Sequence, residues 1–238
     1  MNERILMIET STEYCSVALS EGGRILASRI DETPRMQSSM LAPYIVEVLA
    51  EAGLCAADLD AVAVSEGPGS YTGLRVGVST AKGICFGAGL PLIGVDTLQI
   101  LACQAETPDQ VRHDDSPVTR DFHRIVAFLD ARRMEVYAAT FDAEGRKCSD
   151  TAAVILDETS YQQELAAGPV LFIGTGVEKF QAVCRHPNAR FQPSFPLASA
   201  MLKPALAALQ KKEFKDVAYF EPFYLKDFAP GVSKHAII

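Results

Sequence analysis

Four segments combine residue types and spacings that could do chemistry. Glu9-Thr10-Ser11-Thr12 sets a carboxylate before three consecutive hydroxyls, and three hydroxyls in a row can hold a phosphate. Ser and Thr also cap turns that bind nothing. Glu66-Gly67-Pro68-Gly69-Ser70-Tyr71-Thr72-Gly73-Leu74-Arg75-Val76-Gly77 is rich in glycine, but it has neither the Walker A spacing nor Gly-x-Gly-x-x-Gly. Its glycines serve tight backbone geometry equally well. Asp130-Ala131-Arg132-Arg133 could grip an anion through guanidinium forks, or simply hold its arginines in water. Gly174-Thr175-Gly176 is a second candidate phosphate turn, or a plain turn.

Other chemistries find little support. The six cysteines stand at 15, 55, 85, 103, 148 and 184 with no Cys-x-x-Cys, so reduced core thiols are expected. The four histidines, His113, His123, His186 and His235, include no pair three or four apart. No Gly-x-Ser-x-Gly elbow is present. These residues offer no ligand set with accepted metal spacing, so no metal is expected.

The elements that must position these segments can be read from periodicity. Runs at 4–9, 15–19 and 25–30 read as a three-strand meander. Leu41, Ile45, Val48, Leu49 and Ala52 sit at helical spacing, with Pro43 in the first turn of a helix starting near Ser39. A strand at 61–65, a helix at 72–88, a strand at 91–95 and a helix from Thr97 follow. A polar linker at 106–121 precedes strands at 125–129, 135–141, 152–156 and 170–173 and a helix at 161–167. A last helix spans 199–212. This order predicts an α/β protein built as a duplicated ribonuclease H-like fold, the unit of the actin, sugar kinase and Hsp70 superfamily. The first unit is expected at 1–105, joined by the helix at 199–212, the second, abridged unit at 118–200, and a tail at 213–238.

The chain has 238 residues, 48% hydrophobic and 22% charged, with enough apolar side chains for a real core. Its net charge of -8 argues against direct attraction to nucleic acid or anionic membranes, so work on RNA would need positive surface from a partner. No apolar run approaches the roughly 20 residues of a membrane span, and a cytoplasmic location is expected.

Gly67-Pro68-Gly69-Ser70-Tyr71-Thr72-Gly73-Leu74-Arg75, then Ala81-Lys82-Gly83 and Pro91-Leu92-Ile93-Gly94-Val95, resemble the TsaB/YeaZ family. So do Ile8-Glu9-Thr10-Ser11, Asp130-Ala131-Arg132-Arg133-Met134-Glu135-Val136-Tyr137 and the closing Glu221-Pro222-Phe223-Tyr224-Leu225-Lys226, where Lys stands for the family's Arg. The resemblance implies a subunit of the machinery that makes threonylcarbamoyladenosine in tRNA. It would partner a larger catalytic paralogue, TsaD-like, and a TsaE-like ATPase, reach tRNA only through the complex, and form a homodimer when alone. The paralogue carries a His-x-x-x-His metal pair where this chain has Thr97 and Leu101, which implies fold kept and catalysis lost. In the superfamily Glu9, Thr10 and Ser11, and Gly174, Thr175 and Gly176, would meet nucleotide phosphate. No cofactor is expected, and any ATP binding would be weak or confined to the complex. A small-molecule kinase of the same superfamily is the alternative, and a metallopeptidase a more distant one.

Interior glycines each cost about 1 kcal/mol in a helix, so Gly73, Gly77, Gly83 and Gly87 need an offsetting contact. The expected partner surface is one exposed apolar patch on the first two helices: Met36, Met40, Tyr44, Gly73, Val76, Gly77, Thr80, Gly83 and Ile84.

Overall fold

Each of the three N-terminal runs with strand character forms a strand: β1 (Arg4–Glu9), β2 (Cys15–Glu21) and β3 (Arg24–Asp31). The computed structural model describes residues 2–33, 37–105 and 122–226. The linker predicted at 106–121, Met36, and the tail beyond 226 lie outside the described residues.

After β3 come α1 (Gln37–Glu51), β4 (Ala61–Gly67), α2 (Tyr71–Ala88), β5 (Leu92–Asp96) and α3 (Thr97–Gln104). The sheet runs β3-β2-β1-β4-β5. β1 pairs antiparallel with β2 and parallel with β4. The second set is β6 (Arg124–Asp130), β7 (Glu135–Asp142), β8 (Ala152–Ile155), α4 (Gln162–Ala167), β9 (Val170–Gly174), α5 (Val177–Val183) and β10 (Ala189–Gln192). Its sheet runs β10-β9-β6-β7-β8, the same order as the first read from the other edge. β6 again pairs antiparallel with its successor and parallel with β9. A meander followed by parallel crossovers, made twice, is the duplicated ribonuclease H-like architecture.

The second unit keeps all five strands but shortens the helices. α4 and α5 have six and seven residues, where α1 and α2 have 15 and 18. α5 and β10 are additions to the sequence reading. At seven and four residues they repeat their periods no more than about twice, too little for a pattern to stand out.

Alternation along the central strands explains the layers. On β1, Leu6 and Ile8 pack under α1 and α2, while Ile5 and Met7 face the opposite layer with Ile100, Ala198, Met201 and Ala205. On β6, Ile125, Ala127 and Leu129 meet Leu98, Leu101 and Ala102 of α3, while Val126 and Phe128 point toward Leu165 and Phe180. α3 therefore lies between the sheets, with Ile100 on one and Leu98 and Leu101 on the other. A 3-10 turn at Ala198–Met201 leads into α6 (Leu202–Lys211), which packs on β5 and β1.

One helix start needs correction. α1 begins at Gln37, so Pro43 lies inside it and not in its first turn. Pro43 is on the exposed side, where water can replace the hydrogen bond its ring removes.

Candidate functional site

The two units face each other across a cleft of about 1080 Å³. One wall holds Ser11, Thr12 and Glu13 from the turn after β1, with Ser70 to Gly73 at the start of α2. The other holds Leu129, Asp130, Ala131 and Arg132 from the β6–β7 turn, with Gly174 and Thr175 at the end of β9. Tyr224, Leu225 and Lys226 of the tail complete the lining. Ser11, Gly174, Thr175 and the Asp130–Arg132 segment thus come together as the sequence segments suggest. Glu9, Thr10 and Gly176 are buried and are not part of the lining.

The turn after β1 is tied to the start of α2. The Thr10 hydroxyl donates to the Gly73 carbonyl at 2.8 Å, and the Ser70 N–H donates to the Ser11 carbonyl at 2.6 Å. A Cβ at Gly73 would overlap the Thr10 carbonyl, and one at Gly77 the Thr10 hydroxyl. Gly73 and Gly77 therefore face inward, against the expectation that they meet a partner. Their absent side chains let α2 press onto this turn. Gly83 and Gly87 are exposed, with open space where a Cβ would stand.

Glu9 is fully buried at the end of β1. Its Oε1 accepts from the Ser11 N–H at 2.5 Å, while Oε2 and the Ser11 hydroxyl have no hydrogen bond. Burial pushes its carboxyl up to about 7, with Ser11, Ser65 and Thr10 pulling part of the way back. A carboxyl whose pKa is raised on folding contributes stability that is complete below its unfolded value near 4.5 and is lost as pH rises to about 7. That interval corresponds to on the order of 3 kcal/mol. Denaturant titrations at pH 5 and pH 8 should show the wild-type chain losing stability by this order and Glu9→Gln losing much less. Equal losses in the two would mean that Glu9 does not titrate in this window.

On the facing wall, Gly174 has φ of 124°, and a Cβ there would overlap the Phe128 carbonyl, so only glycine fits. The Thr175 hydroxyl accepts from the Asp130 N–H at 3.0 Å. Asp130 accepts from the Arg132 N–H at 2.6 Å and pairs with Lys179 at 2.9 Å. These bonds hold a turn in which Arg132 and Arg133 both have positive φ, 71° and 50°.

Thr97 and Leu101, the positions that the resemblance sets against a histidine pair, are buried. Thr97 opens α3, and Leu101 packs between α3 and the second sheet beside Gly174. Among the described residues, no three His, Cys, Asp or Glu side chains are grouped to hold a metal.

The predicted partner surface is partly redrawn. Met40, Tyr44, Val76, Thr80 and Ile84 are half-buried, and Tyr44, Val76 and Ile84 pack on their own core. The most exposed large apolar residues of the two helices are Val46 and Phe86, 66% and 86% exposed. Phe86 follows the core residue Cys85, and a step of 100° round the helix turns it outward, a signal present in the sequence. The four charged residues of α1 and α2 are all engaged within the chain. Glu47 and Glu51 pair with Arg29, Arg75 donates to Tyr71, and Lys82 donates to the Ala218 and Phe220 carbonyls.

The model of the family TsaD, tRNA N6-adenosine threonylcarbamoyltransferase, matches residues 31–237. The tRNA threonylcarbamoyladenosine biosynthesis protein TsaB of Escherichia coli is 30% identical over 231 residues, covering 94% of this chain and 95% of that protein. TsaB of Bacillus subtilis is 29% identical over 174 residues, covering 71% and 70% of the two chains. A crystal structure from Pseudomonas aeruginosa, described as similar to peptidase YeaZ, is 30% identical with a TM-score of 0.81, covering 94% of this chain and all of that one.

Proposed function

The chain belongs to the TsaB/YeaZ family of tRNA threonylcarbamoyladenosine biosynthesis proteins, and on that premise we propose that it is a non-catalytic subunit that binds and stabilises a TsaD-like transferase. One observation carries this reading: α1 and α2 expose Val46 and Phe86, while Glu47 and Glu51 pair with Arg29, Lys82 is bound to the tail and Arg75 donates to Tyr71 of its own helix. Exposed apolar side chains on two long neighbouring helices suit a helix-bundle contact with the equivalent helices of the paralogue, or with a second copy when the paralogue is absent.

The cleft supports the same reading. In its hydroxyl turn Thr10 is bonded to the Gly73 carbonyl of α2, and the positions of the paralogue's histidines are taken by buried Thr97 and Leu101. The complex would include a TsaE-like ATPase, act on tRNA in the cytoplasm and supply the positive surface that this chain lacks. No helix among the described residues is long and apolar enough to cross a membrane.

Reconstitution tests the proposal. The isolated chain should form no threonylcarbamoyladenosine and hydrolyse ATP far below about 1 per second, the low end of ordinary turnover. The TsaD-like partner should form it only when this chain is added. Full activity of the partner alone, or ordinary ATP turnover by the isolated chain, would overturn the accessory role.

A further inference from the structure

The described part of the tail runs back over the first unit and is fastened at successive points. The Lys215 N–H donates to the Leu92 carbonyl at 2.8 Å, and Lys215 Nζ pairs with Glu66 at 2.6 Å. Lys82 Nζ reaches the carbonyls of Ala218 and Phe220 at 3.1 and 3.0 Å. The Phe223 N–H donates to the Glu66 carbonyl at 2.6 Å, and the Phe223 carbonyl rests where a side chain on Gly67 would stand.

Beyond Phe223 the fastening changes. Tyr224 lies against Tyr71 with ring centroids 4.9 Å apart. Lys226 crosses to the second unit and pairs with Glu135, both side chains being partly open to water. Tyr224, Leu225 and Lys226 all line the cleft. Glu135 also closes the turn that carries Arg132. Its N–H donates to the Arg132 carbonyl at 3.1 Å, and its carbonyl accepts from the Ala131 N–H at 3.1 Å and from Lys179 at 2.9 Å. The tail thus ties the glycine-rich loop of one unit to the arginine turn of the other, and the last tie among the described residues is an ion pair in contact with solvent.

We propose that residues 224–226 are a strap that closes the cleft by clasping Lys226 onto Glu135, and that release of this one pair opens the cleft while the tail stays docked as far as Phe223. The difference in fastening supports this division. Up to Phe223 the backbone itself is hydrogen-bonded to β4 and β5, and such bonds are insensitive to salt. The clasp depends on an exposed pair, whose contribution is small and screened.

The chain has no tryptophan, so Tyr224→Trp places a single reporter on the strap. In the full chain, acrylamide quenching of this reporter should be low. Adding Glu135→Gln should raise the quenching constant about two- to fivefold, the shift in equilibrium that an exposed pair can sustain. Raising salt from about 0.05 M to about 1 M should act in the same direction. The exchanged pair, Lys226→Glu with Glu135→Lys, should restore the shielding. Glu178→Gln, which alters the cleft wall on α5, should leave it unchanged. Quenching unaffected by Glu135→Gln, or shielding not recovered by the exchanged pair, would overturn the clasp. Loss of the far-UV circular dichroism of Glu135→Gln would count against it as well, since a strap of this kind opens without unfolding either unit.

Discussion

Replacing Phe86 with arginine is expected to leave the fold untouched and to abolish binding to the TsaD-like partner. Phe86 is 86% exposed on α2, so removing it deletes almost no contact within the chain. Substitutions at such surface positions usually change stability by no more than about 0.5 kcal/mol. At an interface the same ring would be a central anchor. Loss of such an anchor costs about 2 kcal/mol or more, and an introduced charge that must be desolvated adds to it. The affinity should fall at least about 30-fold. Thermal denaturation of the variant alone and titration calorimetry with the partner measure the two halves separately. Val76→Arg and Thr80→Arg should weaken binding too, but both residues are half-buried, so some of their effect will fall on stability. An unchanged affinity for Phe86→Arg would move the docking surface away from this face.

The second large effect is a pair of opposite sign. Gly73→Ala and Gly83→Ala are the same chemical change in the same helix. At Gly73 the new methyl would overlap the Thr10 carbonyl, backbone that cannot yield without displacing the end of β1. Overpacking of this kind costs about 1–3 kcal/mol and more when the obstacle is rigid, which exceeds the gain of about 1 kcal/mol in helix propensity. Gly73→Ala should therefore lower stability by about 2 kcal/mol or more. At Gly83 nothing lies within 4 Å of the added Cβ, so only the propensity term remains. Gly83→Ala should raise stability by up to about 1 kcal/mol. Denaturant midpoints under matched conditions give both numbers. A stabilised Gly73→Ala would show that α2 does not press on the turn after β1.

These glycines show where sequence reasoning stops. Four glycines in one helix were visible as an energetic cost needing an offset. Their spacing even divides them, because Gly73 and Gly77 are four apart on one row and Gly83 and Gly87 on another. Which row faces inward depended on where the turn after β1 lies, and that turn is more than sixty positions away in the chain, as the Thr10–Gly73 bond shows. A close approach of two backbones leaves no mark in either segment beyond the small residue itself.

The strands other than β10, the long helices and the duplication could be read along the chain because each is a repeated local choice. Alternating side chains record two faces of a sheet, and a 3.6-residue period records one face of a helix. β1 is read from a nearly unbroken aliphatic run, and the two-residue repeat of any strand then sets Leu6 and Ile8 on one face and Ile5 and Met7 on the other. α5, with seven residues, holds fewer than two turns and is not read from the sequence, while the six-residue α4 is read as a helix at 161–167. The cleft is the opposite case. Ser11, Arg132, Thr175 and Lys226 share it only because two copies of one topology were placed face to face on either side of α3. The sequence alone supplied the hydroxyls, the arginines and the glycines as residue types. Tertiary packing decided which of them were consumed by the fold, as Glu9 and Thr10 were, and which were left facing the cleft. The physical reason is that burial and hydrogen-bond partnership are properties of pairs of distant segments, while periodicity is a property of one.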